Sequence, residues 1–361
     1  MIDASGKSVR PMRRYVVGAA LIGLASVTLL SPRAFADSTT TTTAPSSGSS
    51  TTSSTTTSVP VTTTTNKVWV APLTGLPDPS ELTRHRSALT IKIDNTPEAH
   101  PQFGLQDADV VYEEIVEGGI TRLAAIFNSK LPTVVGPVRS VRRTDPQIVY
   151  PLGGIFAFSG GAQYAIDAIE KAPVKLIQES NAGAAMFRDL KRPPPHNLLA
   201  NAALLMTYGG EPKPPRAIFT YRSASEPATG ARVNVFNVDF FSGYEVSYNW
   251  DEKTFSWDRT IFDYPDITAT GQRVSPANVI VMNVLYRGGV GVEGSYAQLT
   301  GSGPAEVFTA GRVQRGTWSR KALADPIVYK NESGQVIALT PGQTFVELAD
   351  TLMRATITNQ P

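Results

Sequence analysis

Acidic and basic side chains flank two adjacent glycines in the run EEIVEGGITR, residues 113–122. If the glycines form a two-residue hairpin turn, Ile115 lies opposite Arg122 on the returning strand. Side chains alternate along a strand, so Glu113, Glu117 and Arg122 are then predicted to share one face. A guanidinium between two carboxylates can hold both ionised, and either glutamate could act as a catalytic base. An exposed cross-strand ion pair without a functional role fits the same pattern.

A second polar run, GPVRSVRRTD at residues 136–145, contains three arginines. If the chain turns helical here, Arg139, Arg142 and Arg143 occupy positions i, i+3 and i+4, which are neighbours on a helix surface. Guanidinium groups bind carboxylates and phosphates through paired hydrogen bonds. We therefore expect Arg139 and Arg142 to bind an anionic ligand together with Arg122, although a solvated basic turn explains the run equally well.

Two further polar pairs lie where the backbone is expected to be rigid. His196 and Asn197 come directly after three prolines, and Asp94 and Asn95 end a predicted strand. His196 is a candidate catalytic acid or base because imidazole changes charge near neutral pH. Asn197, Asp94 and Asn95 are candidate ligand-binding residues at the mouth of a cleft. Helix capping or hydrogen bonding by the histidine and turn formation by Asp94 and Asn95 are the alternative roles.

Absent residue types exclude several classes of site. The chain has no cysteine, which excludes disulfides, thiolate metal sites, a cysteine nucleophile and an N-terminal lipid-modified cysteine. Its three histidines, His85, His100 and His196, show no paired spacing that would indicate zinc. Neither a nucleotide-binding glycine motif nor a nucleophile-elbow motif is present. The sequence therefore predicts no metal site and no cofactor.

The first 36 residues have the layout of an export signal. Four cationic residues up to Arg14 precede an uncharged run at 15–30, and small residues follow at Ala34 and Ala36. The uncharged run is shorter than the ~20 residues of a membrane-spanning helix. We predict a signal peptide over residues 1–36 that is cleaved after Ala36, so that the membrane is contacted only transiently. A retained anchor is the alternative, and both the Sec and the twin-arginine export routes fit.

A flexible linker and a nearly neutral folded body are expected after the signal peptide. Residues 37–66 are almost entirely serine and threonine with a few prolines, a composition that predicts a disordered linker. The whole chain has a formal net charge of +2, and residues 1–36 contribute +4 of it, so the mature protein is near −2. Without an overall basic surface, no nucleic-acid partner is expected.

The remaining chain is predicted to fold as an α+β protein with two domains. Strands around the motifs above, together with two helical stretches, predict a mixed α/β N-terminal domain with a β-hairpin over residues 67–212. Short alternating strands separated by turn residues predict a smaller β-rich C-terminal domain over residues 213–361. Trp250, Trp257 and Trp318 could stack on sugar rings, although packing in a β-rich core is their commoner use.

Nine short sequence blocks follow one another in order along the predicted folded region. They are DN at 94–95, PQFGL at 101–105, ADVVYE at 108–113, EGGITR at 117–122, GPVRS at 136–140, HN at 196–197, NVIV at 278–281, GSGPA at 301–305 and GTW at 316–318. Together they resemble the YerB-type bacterial surface proteins over about residues 72–348. The resemblance implies a lipoprotein with a two-part domain of unknown function and no established reaction. Because this chain lacks the lipid-accepting cysteine, secretion or association with the cell wall is expected instead.

These observations favour an exported protein of the cell envelope that binds an anionic glycan, peptide or phosphate-bearing ligand of the envelope or cell wall. The expected location is extracytoplasmic, either secreted or associated with the cell wall. A hydrolase of envelope polymers is the first alternative, with Glu113 or Glu117 as the base and His196 or Asp94 as its acid partner. A structural or interaction protein, whose charged groups only connect loops, is the second alternative.

Overall fold

The structure is a computed structural model that describes residues 68–241, 243–351 and 355–359. The signal peptide predicted at residues 1–36 and the linker predicted at residues 37–66 lie outside the described residues, so both stay predictions. No helix in the described segments combines the length and the apolar composition that a membrane span requires.

Strands predominate in the described residues, and the α-helices there are short. The helices are α1 Asp145–Val149, α2 Gln163–Ile169 and α3 Ala202–Met206. The predicted α+β class with a mixed α/β N-terminal domain is therefore wrong, because the protein is mostly β and is built on a large mixed sheet. Glycine and proline interrupt the connecting segments, as at Gly161 before α2 and Pro173 after it, and keep the helices short.

The described residues form twenty strands. In chain order they are β1 Leu89–Asp94, β2 Val110–Ile115, β3 Thr121–Phe127, β4 Ile155–Phe158, β5 Lys175–Gln178, β6 Met186–Arg188, β7 Leu198–Ala200, β8 Ala231–Arg232, β9 Val235–Phe241, β10 Tyr244–Asp251, β11 Ser256–Ile261, β12 Tyr264–Pro265, β13 Asn278–Val284, β14 Tyr286–Arg287, β15 Tyr296–Ala297, β16 Gly301–Thr309, β17 Arg312–Arg320, β18 Val328–Asn331, β19 Thr344–Asp350 and β20 Thr356–Asn359.

One mixed sheet of eleven strands runs through the described part of the chain. Its order is β18-β17-β16-β13-β19-β2-β3-β1-β4-β5, and β8 also pairs with β17. β19 joins the two halves by lying parallel to both β13 and β2, with Glu347 opposite Glu113. The predicted domain boundary between residues 212 and 213 stays a prediction, while the sheet includes strands from both sides of it. A second, antiparallel sheet has the order β12-β11-β10-β9-β20.

The turn after β2 shifts the register of the β2–β3 hairpin by one residue from the prediction. Glu117–Gly119 form a short 3-10 turn that one backbone hydrogen bond closes, in place of a two-residue turn. Glu114 therefore lies opposite Arg122, where the two-residue turn predicted Ile115. Since a slip of one residue exchanges the faces of a strand, Glu113 lies on the other side of the sheet from Arg122.

The central strands of the large sheet are buried on both faces, and yet they contain charged residues. Every residue of β1, β2, β3, β13 and β19 is buried. An unpaired charge in such a place costs several kcal/mol, so each of these charges needs a partner. Separate ionic groups on the two faces supply the partners.

Lys92 is the centre of an ionic group on the same face as Arg122. Its ammonium donates to Asp145 at 2.8 Å and also to Glu114, and all three side chains are buried. Asp145 begins α1, so this contact holds the helix against the sheet. Burial raises the pKa of Asp145 to about 6, a shift that Lys92 opposes and Glu114 increases.

Arg259 is the centre of the ionic group on the opposite face. It lies in β11 of the second sheet, is fully buried, and donates to Glu113 at 2.7 Å and to Asp266. Glu347 lies beside Glu113 and accepts a hydrogen bond from Tyr248. Burial, together with the charge of Glu113, raises the pKa of Glu347 well above its ordinary value, which favours its neutral form. The group thus joins the two sheets through one guanidinium.

Replacing Asp145 by asparagine tests the raised pKa of this buried carboxyl group. The unfolded chain releases the proton near pH 3.8, whereas the folded protein holds it up to about pH 6. Between these values the unfolded state binds fewer protons, so the stability that Asp145 contributes falls as the pH rises. We expect the unfolding free energy of wild type minus that of Asp145→Asn to decrease by roughly 2 kcal/mol between pH 4 and pH 7 in urea denaturation. A difference that stays constant or increases would contradict the assignment.

Arg259→Ala tests how much the buried guanidinium stabilises the fold. The substitution leaves Glu113 and Asp266 buried without their cationic partner, which costs about 3–5 kcal/mol. The matched control is Arg315→Ala, which removes an ion pair with Glu306. The Arg315 side chain is 50% exposed, so loss of this pair should cost under ~1 kcal/mol. Chemical denaturation measures both losses, and equal losses would refute the structural role given to Arg259.

Candidate functional site

The predicted polar runs meet at one edge of the large sheet. β1 and β4 lie parallel, so their carboxyl ends reach the same edge, which is where open sheets with parallel strands bind ligands. Asp94 is the last residue of β1. Backbone hydrogen bonds of 2.9 Å join the Asp94 amide to Pro137 and the Arg139 amide to Lys92. The strand that follows His196 pairs with the same segment and brings the histidine to this edge.

The carboxylate of Asp94 is the point on which three predicted side chains converge. Arg122 Nη1 lies 3.0 Å from Oδ1, and Arg139 Nε donates to Oδ2 at 2.7 Å. His196 Nδ1 lies 2.7 Å from the same Oδ2. Asp94 is fully buried, while Arg139 and His196 reach the surface with 19% and 14% of their side chains exposed. We call these four residues the Asp94 cluster.

The charges of the Asp94 cluster keep its carboxylate ionised. Burial alone would raise the pKa of Asp94, but Arg122, Arg139 and the hydrogen bond with His196 outweigh burial and lower it. Burial also lowers the pKa of Arg122, against the effect of Asp94, and the positive charges of Arg142 and Arg139 lower it further. Three guanidinium groups therefore repel one another here, and an additional anion beside them would relieve the repulsion.

The two ring nitrogens of His196 have different surroundings. An ionised carboxylate only accepts hydrogen bonds, so the contact with Asp94 places a proton on Nδ1. Thr96 Oγ1 lies 3.2 Å from the same nitrogen. Nε2 makes no hydrogen bond with any residue of the described segments. It is therefore free to accept a proton from a ligand, or to donate one when the ring is charged.

A bidentate ion pair between Arg142 and Glu117 lies next to the Asp94 cluster. Arg142 Nε donates to Glu117 Oε2 at 2.8 Å, and Nη2 donates to Oε1. Burial would raise the pKa of Glu117, but the hydrogen bond and charge of Arg142 outweigh burial and lower it. A carboxylate with a lowered pKa is a poor general base at neutral pH. Glu117, whose side chain is 42% exposed, instead occupies the place on Arg142 that an anionic ligand could take.

Glu113 and Asn95 lie behind the cluster, on the other face of the sheet. Glu113 Oε1 accepts hydrogen bonds from Asn95 Nδ2 at 2.9 Å and from Thr121 Oγ1 at 2.6 Å. Asn95 also donates to Tyr244, and both Asn95 and Glu113 are fully buried. The structure therefore does not bring Glu113 and Asn95 together with the exposed arginines and the imidazole.

Asn197 holds the proline-rich loop in place. Its Oδ1 accepts a 2.8 Å hydrogen bond from Arg188, which also forms an ion pair with Glu179 at 2.7 Å. The backbone carbonyl of Asn197 accepts a further 2.9 Å bond from the Asp189 amide. Asn197 is buried, so it positions His196 rather than facing solvent itself.

Lys92, Asp145 and Arg259 support the site but were missed from the sequence. Lys92 is the only charged residue before Asp94 in the strand LTIKID. A charge in an otherwise apolar strand needs a buried partner, so the sequence alone could have indicated a buried ion pair at Lys92. Asp145 and Arg259 gave no such signal, because Lys92 lies 53 residues before Asp145 and Glu113 lies 146 residues before Arg259. In the described part of the chain, no group of three or more His, Cys, Asp or Glu side chains is arranged to hold a metal ion.

Comparison with known proteins identifies the family. The model described as the N-terminal domain of a protein of unknown function (DUF3048) matches residues 73–212, and its C-terminal counterpart matches residues 236–346. A Bacillus subtilis (strain 168) protein named "Putative lipoprotein YerB" is 28% identical over 314 residues, which cover 81% of this chain and 90% of that protein. The crystal structure of YerB from Bacillus subtilis matches with a TM-score of 0.69 at 25% identity, over 80% of this chain and 99% of the other. The resemblance found in the sequence is confirmed, and the chain belongs to the DUF3048 family, whose function is unknown.

Proposed function

We propose that this protein binds an anionic ligand of the cell envelope through the Asp94 cluster. The observation that supports this is the convergence of Arg122, Arg139 and His196 on one buried carboxylate, at the edge where parallel strands end. Guanidinium groups bind carboxylates and phosphates alike, so the ligand class is an anionic glycan, a peptide or a phosphate-bearing molecule.

Positive charge exceeds negative charge where a ligand would meet the site. Arg122, Arg139 and Arg142 contribute three positive charges against the two negative charges of Asp94 and Glu117. Only Nε of Arg139 is engaged by Asp94, and its two terminal nitrogens bond to no residue of the described segments. These nitrogens, together with Nε2 of His196, are the groups available to an incoming anion.

A location outside the cytoplasmic membrane fits this ligand class. The Bacillus subtilis relative carries the name "Putative lipoprotein YerB", and the first 36 residues of this chain have the layout of an export signal. This chain has no cysteine to accept a lipid, so we infer that it is secreted or associated with the cell wall.

Hydrolysis of envelope polymers is a second candidate, which the geometry of His196 supports. An imidazole held by a carboxylate at Nδ1 and free at Nε2 is the arrangement of a general base. Neither glutamate is the base in this candidate mechanism, because Glu117 is paired with Arg142 and Glu113 is fully buried. Release of soluble fragments from purified cell walls supports this candidate, and binding without release contradicts it.

Arg139→Ala tests the binding proposal. The substitution removes one guanidinium while Arg122 still pairs with the Asp94 carboxylate, so the protein is expected to stay folded. A charge-assisted hydrogen bond contributes ~1.5–3 kcal/mol, so retention on purified wall material should weaken roughly tenfold or more. Retention of the wild type should also fall more steeply with added salt than that of the variant. The control is Arg84→Ala, which removes an exposed pair with Glu81, and equal retention of both variants would contradict the proposal.

Glu117→Gln should have the opposite effect on ligand affinity. The substitution removes the carboxylate that pairs with Arg142 and frees this guanidinium for an external anion. We expect retention on wall material to strengthen by about two- to fivefold, with the increase disappearing at high salt. Glu81→Gln is the matched control, because it frees Arg84 from an exposed ion pair that does not contact the Asp94 cluster. Unchanged or weaker retention of Glu117→Gln, or an equal gain in the control, would refute the role given to Arg142.

A further inference from the structure

A cleft with a volume of about 380 Å³ lies toward the opposite end of the large sheet's strand order from the Asp94 cluster. Trp250 and Phe255 line it, together with polar residues that flank β8 and the β16–β17 turn. Its volume falls in the range of ligand pockets, ~300–1,000 Å³. β17 is six strands away from β1 in the sheet order, and neighbouring strands are ~4.8 Å apart, so the two places are roughly 25–30 Å from each other.

Phe255 departs from two local rules at once. It is the last residue of the turn between β10 and β11, and its φ of 52° lies in the left-handed region that favours glycine or asparagine. The residue is also 65% exposed to solvent. Residues held in such conformations cluster at binding and catalytic sites, where the gain in function offsets the strain. Phe255 is therefore a candidate for contact with a ligand.

Trp250 forms an aromatic surface beside Phe255. The two rings meet edge to face, with centroids 6.0 Å apart and an angle of 85°. Trp257 packs against Trp250 at 5.1 Å and fixes the orientation of the indole. Gly311 packs closely against the half-buried indole, because a Cβ at this position would come within 2.8 Å of Nε1. The Nε1 donor bonds to no residue of the described segments and is not a buried atom, so it is available to a ligand.

Polar side chains surround the two rings. Arg232, Asn234 and Glu252 line the cleft, and their side chains form no hydrogen bond or ion pair with the described residues. Arg312 also lines it and donates to the Gly230 carbonyl at 2.8 Å. Two guanidinium groups against one carboxylate give the cleft a net positive charge.

We propose that this cleft binds a pyranose ring of an acidic, uronate-bearing glycan. The apolar face of a sugar ring packs on the exposed ring of Phe255, and the edge of the sugar contacts Trp250, whose ring lies nearly perpendicular to that of Phe255. Sugar hydroxyls bond to Asn234 and Glu252, and the sugar carboxylate pairs with Arg232 or Arg312. The site is separate from the Asp94 cluster and does not depend on the function proposed for that cluster.

Calorimetric titration with tetragalacturonate, maltotetraose and tetrapolyphosphate tests this site. The titrations use the Arg139→Ala protein, in which anion binding by the Asp94 cluster is weakened. Binding that is then measured can be assigned to the cleft rather than to the Asp94 cluster. We expect saturable binding of tetragalacturonate and at least fivefold weaker binding of the uncharged maltotetraose. Arg312→Gln in the same background should reduce this preference for the acidic sugar.

Phe255→Gly is the decisive variant. Glycine adopts a positive φ without strain, so the midpoint of thermal unfolding should stay the same or rise. The affinity for tetragalacturonate should nevertheless fall about tenfold, because the stacking surface is lost. The control is Tyr264→Ala, which removes another exposed ring of the second sheet and should leave the affinity unchanged. Absence of saturable binding, equal affinity for tetrapolyphosphate, or equal losses in Phe255→Gly and Tyr264→Ala would overturn the proposal.

Discussion

The buried carboxylate of Asp94 connects three segments of the chain that lie far apart in sequence. It bonds to Arg122 on the neighbouring strand, to Arg139 from the following loop, and to His196 from the proline-rich loop. Two cations and an imidazole can stay together in a buried place only because this anion balances their charge. The same bonds leave the terminal nitrogens of Arg139 and Nε2 of His196 free, so the arrangement is stable in itself and still able to bind a ligand.

Buried ionic groups support the sheet on both faces, and the accessible Asp94 cluster shares a face with one of them. On that face, Lys92, Glu114 and Asp145 form the supporting group and hold α1 in place. On the other face, Glu113 and Arg259 connect the large sheet with the second sheet. Side-chain alternation in β1, β2 and β3 therefore assigns adjacent charged residues to different tasks, and a single-residue change of register would exchange them.

The residue types in the sequence predicted which residues form the Asp94 cluster, but they predicted less well how the charged residues are arranged. Asp94, Arg122, Arg139 and His196 were all identified from the sequence as candidate functional residues, because charged groups at strand ends and after prolines suggest chemistry. The place of Glu113 could not be predicted, since it depends on whether the turn after β2 has two residues or three. The fold class was wrong for a related reason: the helices of the N-terminal half are short, and β19 pairs with β2 so that both halves share one large sheet, a long-range pairing that local sequence patterns do not indicate.

Nitrogen-15 NMR of the histidine rings during titration with inorganic phosphate tests the central claim most directly. The Asp94 cluster predicts that the His196 ring is protonated at Nδ1 in the neutral state, and that its Nε2 signal shifts saturably as phosphate binds. Exposed His85 should show only the weak, unsaturated change of a solvated ring. Equal behaviour of the two histidines, or a His196 ring protonated at Nε2 and insensitive to phosphate, would contradict an anion site organised by Asp94.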